Sequence, residues 1–111
     1  MQSLTSERYM KLLKYDIIKE LSLPMQQEMK EQAITILKLL AGNKNIMKKD
    51  IKACFPNDPN MAIEKYIAAL KFTRCIVDST FAQSILYEVT PIGMLMLEIL
   101  TENSNNTEGE Q

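Results

Sequence analysis

Residues 60–71 read NMAIEKYIAALK, and the fold turns on how this stretch is read. It follows the turn-forming run Pro56-Asn57-Asp58-Pro59. Asn60 is of a type favoured at helix N-caps, where a side-chain oxygen accepts from a free backbone N–H of the first turn. A helix is therefore expected to begin there. At about 100° per residue, Ile63, Tyr66, Ile67 and Leu70 fall on one face, and Met61, Glu64, Lys65 and Ala68 fall on the other. The first face is expected in the core. The second is free to touch something, and what it touches is the functional question.

Upstream lies NKNIMKKDIKACFP, residues 43–56. Ile46 reads as the one buried residue of a short extended piece. A two-turn helix from about Lys48 to Phe55 would bury Ile51, Cys54 and Phe55 and leave Lys48, Lys49 and Lys52 outside. Before it, residues 25–41 place Met29, Ala33, Ile36, Leu37 and Leu40 on one helical stripe, and Gly42-Asn43 supplies residues that tolerate a left-handed C-cap. A first helix, capped by Thr5 or Ser6, runs to about Leu21 with Met10, Leu13, Ile17 and Leu21 at helical spacing, and Pro24 ends that pattern, either in a turn or in a kink, since proline is tolerated in a first helical turn and disfavoured in an interior.

Downstream of Lys71 the period changes. Cys75-Ile76-Val77 and Ile85-Leu86-Tyr87-Glu88-Val89 are short β-branched runs around a polar tip, residues 79–84, and together predict a hairpin. Thr90-Pro91 is a helix start, with threonine as cap and proline in the first helical position, for a helix to about Glu102. Residues 103–111, NSNNTEGEQ, have too few apolar side chains to fold and are expected to form a disordered acidic and polar tail beyond a single domain of residues 1–102.

Charge is unevenly spread. The formal net charge is -1, yet residues 38–74 carry eight basic against three acidic side chains, residues 1–37 five of each, and residues 75–111 six acidic and no basic ones. A basic middle third suits a polyanion, and equally a solvated lysine-rich surface. The sequence holds no histidine, three glycines and two cysteines. It therefore offers no mixed Cys/His zinc site, no phosphate-cradling glycine loop and no nucleophile beside a recognisable base, so neither an enzyme nor a metal or other cofactor is expected. Cys54 and Cys75 read as buried reduced thiols. With no long apolar run and a charged N-terminus, the chain is expected to be intracellular and cytoplasmic, without a membrane partner.

The order helix, helix, short strand, helix, turn, helix, hairpin, helix is mainly α with a small β-hairpin wing. It describes a winged helix-turn-helix with an additional helix at each end. Leu70-Lys71, Ile76-Val77-Asp78 and Val89-Thr90-Pro91-Ile92-Gly93 resemble the recognition-helix, wing and final-helix passage of the small MarR-like and PadR-like transcriptional regulators. The resemblance covers roughly residues 33–100, and Thr90-Pro91-Ile92-Gly93 is its most specific element. It implies a dimeric regulator of double-stranded DNA. Contact would come from Lys44, Lys48, Lys49 and Lys52, from Met61, Lys65 and Ala68 on the recognition helix, and from Lys71, Arg74 and Gln83. In those families the wing tip carries a basic residue and the recognition face is polar. Here the tip has none, and the face pairs Glu64 and Lys65 with Met61 and Ala68. The alternative is thus a winged-helix module that binds a protein partner. The final helix is apolar nearly all round, so dimerisation is expected through Met10, Leu13, Ile17, Met94, Leu97 and Leu100.

Overall fold

The structure, a computed structural model, describes residues 2–109, and the side chains of residues 2–14, Asn60 and residues 103–109 lie outside the described set. The elements are α1 (Gln2–Glu28), α2 (Lys30–Gly42), α3 (Lys48–Ala53), α4 (Asn60–Phe72), β1 (Ile76–Phe81), β2 (Ser84–Val89) and α5 (Pro91–Gly109). This is the expected mainly helical winged helix-turn-helix with a two-stranded antiparallel hairpin and a helix at each end.

The core gathers around α2. Ala33, Ile36 and Leu37 are fully buried, with Ile51 of α3, Ile63, Ile67 and Leu70 of α4, and Met96, Ile99 and Leu100 of α5. α5 packs on both α1 and α2. The phases read for α2 and α4 hold: every residue of the α2 stripe is buried, and Met61, Glu64, Lys65 and Ala68 are exposed.

Several boundaries differ from the sequence reading, each for a local reason. α1 does not stop at Pro24 but continues to Glu28. Pro24 is exposed, so the Glu20 carbonyl that loses its i+4 donor stays within reach of water. The chain bends instead at Met29, φ -152° and ψ 36°, while Met29 N still donates to Met25 O at 2.8 Å and Ala33 N to Met29 O at 2.8 Å. Thr5 and Ser6 fall inside α1 rather than before it, and their side chains lie outside the described residues. Pro59, not Asn60, occupies the N-cap position of α4, its carbonyl accepting from Ala62 N at 3.0 Å. α2 ends without a left-handed glycine: Asn43 is extended and its Nδ2 donates to Leu39 O at 2.9 Å, while the left-handed residue is Asn45, φ 58°. α3 stops at Ala53, which leaves Cys54 exposed rather than buried and Phe55 half-buried, its ring centroid 5.9 Å from that of Tyr66. α5 is helical to Gly109, past the expected end at Glu102.

The wing is tighter than expected. Strand pairing runs from Ile76↔Val89 to Phe81↔Ser84, leaving a two-residue turn at Ala82-Gln83 with both residues left-handed, φ 50° and 68°. Such turns match the right-handed twist of the strands and are normally built from Asn-Gly. At the other end Ile46 bridges to Tyr87, whose N–H donates to Ile46 O at 2.8 Å, so the linker before α3 is stitched to the wing.

Candidate nucleic-acid interface

The outer line of α4 is Met61, Lys65, Ala68 and Phe72, residues that a period of about 3.6 brings onto one stripe. Met61 is 81% exposed and Phe72 87%. Glu64 flanks the stripe but is not free, because its carboxylate accepts from Lys48 Nζ of α3. That contact holds the Lys48 ammonium above its ordinary range and the Glu64 carboxyl below its own. The pair ties the two helices of the helix-turn-helix together across solvent. A second pair joins the end of α4 to the wing, Lys71 Nζ to Asp78 Oδ2 at 2.6 Å, and its hydrogen bond likewise raises Lys71.

These pairs divide the expected phosphate-binding set. Lys48 and Lys71 carry a carboxylate partner, whereas Lys44, Lys49, Lys52, Lys65 and Arg74 form no ion pair among the described residues. Lys44, Lys49, Lys65, Arg74 and Gln83 are exposed, and Lys48 and Lys52 are half-buried. Sequence spacing does not announce the pairing. Lys48 and Glu64 are sixteen positions apart, and only the angle between α3 and α4 brings them together.

Arg74 sits at a conformational cost. After α4 the chain closes a Schellman motif, with Arg74 N donating to Lys71 O at 3.0 Å and Cys75 N to Leu70 O at 2.9 Å. The residue after the cap in this motif is usually glycine, yet Arg74 holds it at φ 67°. Left-handed geometry costs a non-glycine residue about 1–2 kcal/mol. Arg74→Gly is therefore expected to stabilise the fold by about 1 kcal/mol, since glycine's own chain entropy offsets part of the gain. A urea midpoint that fell instead would mean that the arginine side chain packs favourably here.

The joint beside Arg74 is tightly made. Thr90 N donates to Cys75 O at 2.9 Å, the Thr90 hydroxyl reaches Arg74 O at 2.5 Å and Cys75 O at 3.0 Å, and its oxygen accepts from Gly93 N at 3.0 Å. Thr90 thus caps α5 as expected while fastening it to the corner between α4 and β1. Cys75 is buried in this joint, and burial raises its thiol pKa.

Of the residues expected at a dimer surface, Ile17 is 52% and Met94 47% exposed, and Leu97 is half-buried. Leu100 is fully buried in the chain's own core, because α5 turns that side toward α1 and α2. The side chains of Met10 and Leu13 lie outside the described residues. Among the described residues of α1 the buried positions are Ile18, Ser22 and Met25, so Ile17 and Leu21 belong to its outer face. A groove of about 560 Å³ opens between α1 and α4, lined by Leu21, Pro24, Met25, Met29, Ala68, Ala69 and Phe72 with Glu20 and Glu28. No described helix is long and apolar enough to cross a membrane, and no group of three or more potential metal ligands occurs among the described residues.

No family model and no curated protein matches the sequence. Solved structures do match. A point mutant of Staphylococcus aureus MepR superposes with a TM-score of 0.64 at 13% identity, covering 94% of this chain and 80% of that one. A second MepR mutant, bound to oligodeoxyribonucleotide, gives 0.62 at 14% identity over 99% of this chain and 80% of that one. The adhesin competence repressor AdcR of Streptococcus pyogenes gives 0.57 at 16% identity over 95% and 76%. Over nearly its whole length, the chain has the winged-helix fold of the MarR-like regulators.

Proposed function

We propose that the protein is a DNA-binding regulator that acts as a homodimer, with α4 in the major groove and α3 against the phosphates. The observation that supports this reading most is the placement of the cations that form no ion pair among the described residues. Lys49 and Lys52 on α3, Lys65 on α4, and Lys44 and Arg74 flanking the two helices surround the outer face of the helix that in this fold meets the duplex. Replacing Lys48, Lys49 and Lys52 by alanine is expected to weaken binding to all duplexes alike. It should also flatten the salt dependence by about one unit of log–log slope for each phosphate that is no longer neutralised. Lys49 and Lys52 should account for most of that change, because Lys48 must first leave Glu64. Lys65→Ala should in addition erode discrimination between sites, by about 1–3 kcal/mol if its ammonium meets a guanine edge. A wild-type protein that binds no duplex at low salt would reject the reading.

The dimer would form through the outer face of α1, where Ile17 and Leu21 stand exposed, together with Met94 and Leu97 of α5. Sedimentation is expected to give twice the mass of one chain, and a lower mass after deletion of residues 1–21. An unchanged soluble monomer in both cases refutes this arrangement.

The second reading, a winged-helix module that binds protein, rests on Met61 and Phe72. Two large apolar side chains more than four-fifths exposed on one helix face suit a protein groove, and the wing tip carries no cation for a minor groove. Failure to bind DNA at low salt would favour it.

A further inference from the structure

Among its described side chains, the recognition face is short of hydrogen-bonding groups. Along the line of α4, Met61 and Ala68 are apolar and exposed, and Lys65 between them is the only cation. Among the described side chains there, Glu64 is the one that could accept from a cytosine amine, and its carboxylate is engaged by Lys48. What the face offers a duplex is therefore two apolar surfaces about two turns apart with one ammonium between them.

The one methyl group that base edges present in the major groove is the C5-methyl of thymine, and the nitrogen and oxygen atoms around it donate or accept. An exposed methionine or alanine set against those polar edges gains nothing and strips water from them. Set against a thymine methyl, the same side chain removes apolar surface from water on both partners. We infer that the recognition helix reads thymine methyl groups through Met61 and Ala68, with Lys65 set against a guanine between them, so that the target half-site carries thymines flanking a guanine. This rests on the DNA-binding reading above and assigns its base chemistry. Met61 stands in the first turn of α4, the end of a recognition helix that reaches base edges; Ala68 lines the α1 groove but stays exposed on the same face, whereas Phe72 at the far end stands against both that groove and the wing. The cations of α3 and the flanks that form no ion pair among the described residues supply the phosphate contacts that would hold this face in register.

The test uses the full chain and duplexes with a randomised core. Bound duplexes are selected, and the best is resynthesised with deoxyuridine in place of each thymine in turn, which removes the methyl and leaves base pairing and the O4 acceptor intact. Substitution at one or two positions per half-site should weaken binding by about fourfold each, the worth of one buried methyl-sized group. Met61→Ala should abolish the penalty at one of those positions and leave the other, and Ala68→Ser should do the converse. Both side chains are exposed, so neither change should disturb folding, and an unchanged urea midpoint verifies it. The inference is overturned, with the regulator reading intact, if duplexes are selected but no thymine position responds to removal of its methyl. It is equally overturned if the response is unchanged in both variants. If no duplex is selected at all, the regulator reading falls with it, and the apolar stripe is left to a protein partner.

Discussion

Replacing Ile67 by alanine is expected to destabilise the protein by about 2–5 kcal/mol in denaturant titration. Ile67 is 4% exposed and lies on α4 between Ile63 and Leu70, at 1% and 0%. Truncation removes apolar area from the core and leaves a cavity that neighbours on α2 and α3 fill only in part. Met61→Ala, on the same helix but 81% exposed, should change stability by less than about 0.5 kcal/mol. The pair of measurements tests the phase of α4 directly. A destabilisation below about 1 kcal/mol at Ile67 would mean that the helix is rotated and that a different face is free.

Gly93→Ala should cost about 3 kcal/mol, at the upper end of the range for overpacking. A Cβ built on Gly93 would stand 2.1 Å from Cys75 O and 2.7 Å from Val89 Cγ2. The carbonyl cannot simply withdraw, since it accepts from Thr90 N and lies against the Thr90 hydroxyl. The sign is diagnostic. On helix propensity alone, alanine in the first turn of α5 would be worth about 1 kcal/mol over glycine, so a stabilised variant would show that α5 does not press against the α4–β1 corner.

The parts of this fold that were legible in the sequence are those fixed by periodicity and by local backbone chemistry. The stripes of α2 and α4 could be read because apolar residues recur at helical spacing with charged residues opposite, and Thr90-Pro91 because its capping geometry needs only neighbours in sequence. Pro24 misled because its effect depends on which way its side of the helix faces, a tertiary fact. The exposure of Cys54 went unseen because an ideal helix continued to Phe55 would have turned it inward, whereas α3 stops at Ala53. At the candidate interface the residue types were readable but their pairing was not. Lys48 with Glu64 and Lys71 with Asp78 are contacts between elements, and they separate cations free for phosphate from cations already engaged. The turn at Ala82-Gln83 was hidden for another reason, since neither residue is of the type that normally adopts left-handed geometry.

Tyr15 and Glu102 meet at 3.1 Å across 87 positions of sequence, where α1 packs on α5. During synthesis from the N-terminus, α1 is made before α5, and its inward residues Ile18 and Met25 wait for the rest of the core until α5 has followed. The helices and hairpin from α2 to β2 contact one another over shorter sequence separations and can assemble before α5 is made. α1 is therefore completed early and docked late, and until it docks Ile18 and Met25 stand uncovered at the exit of the ribosome.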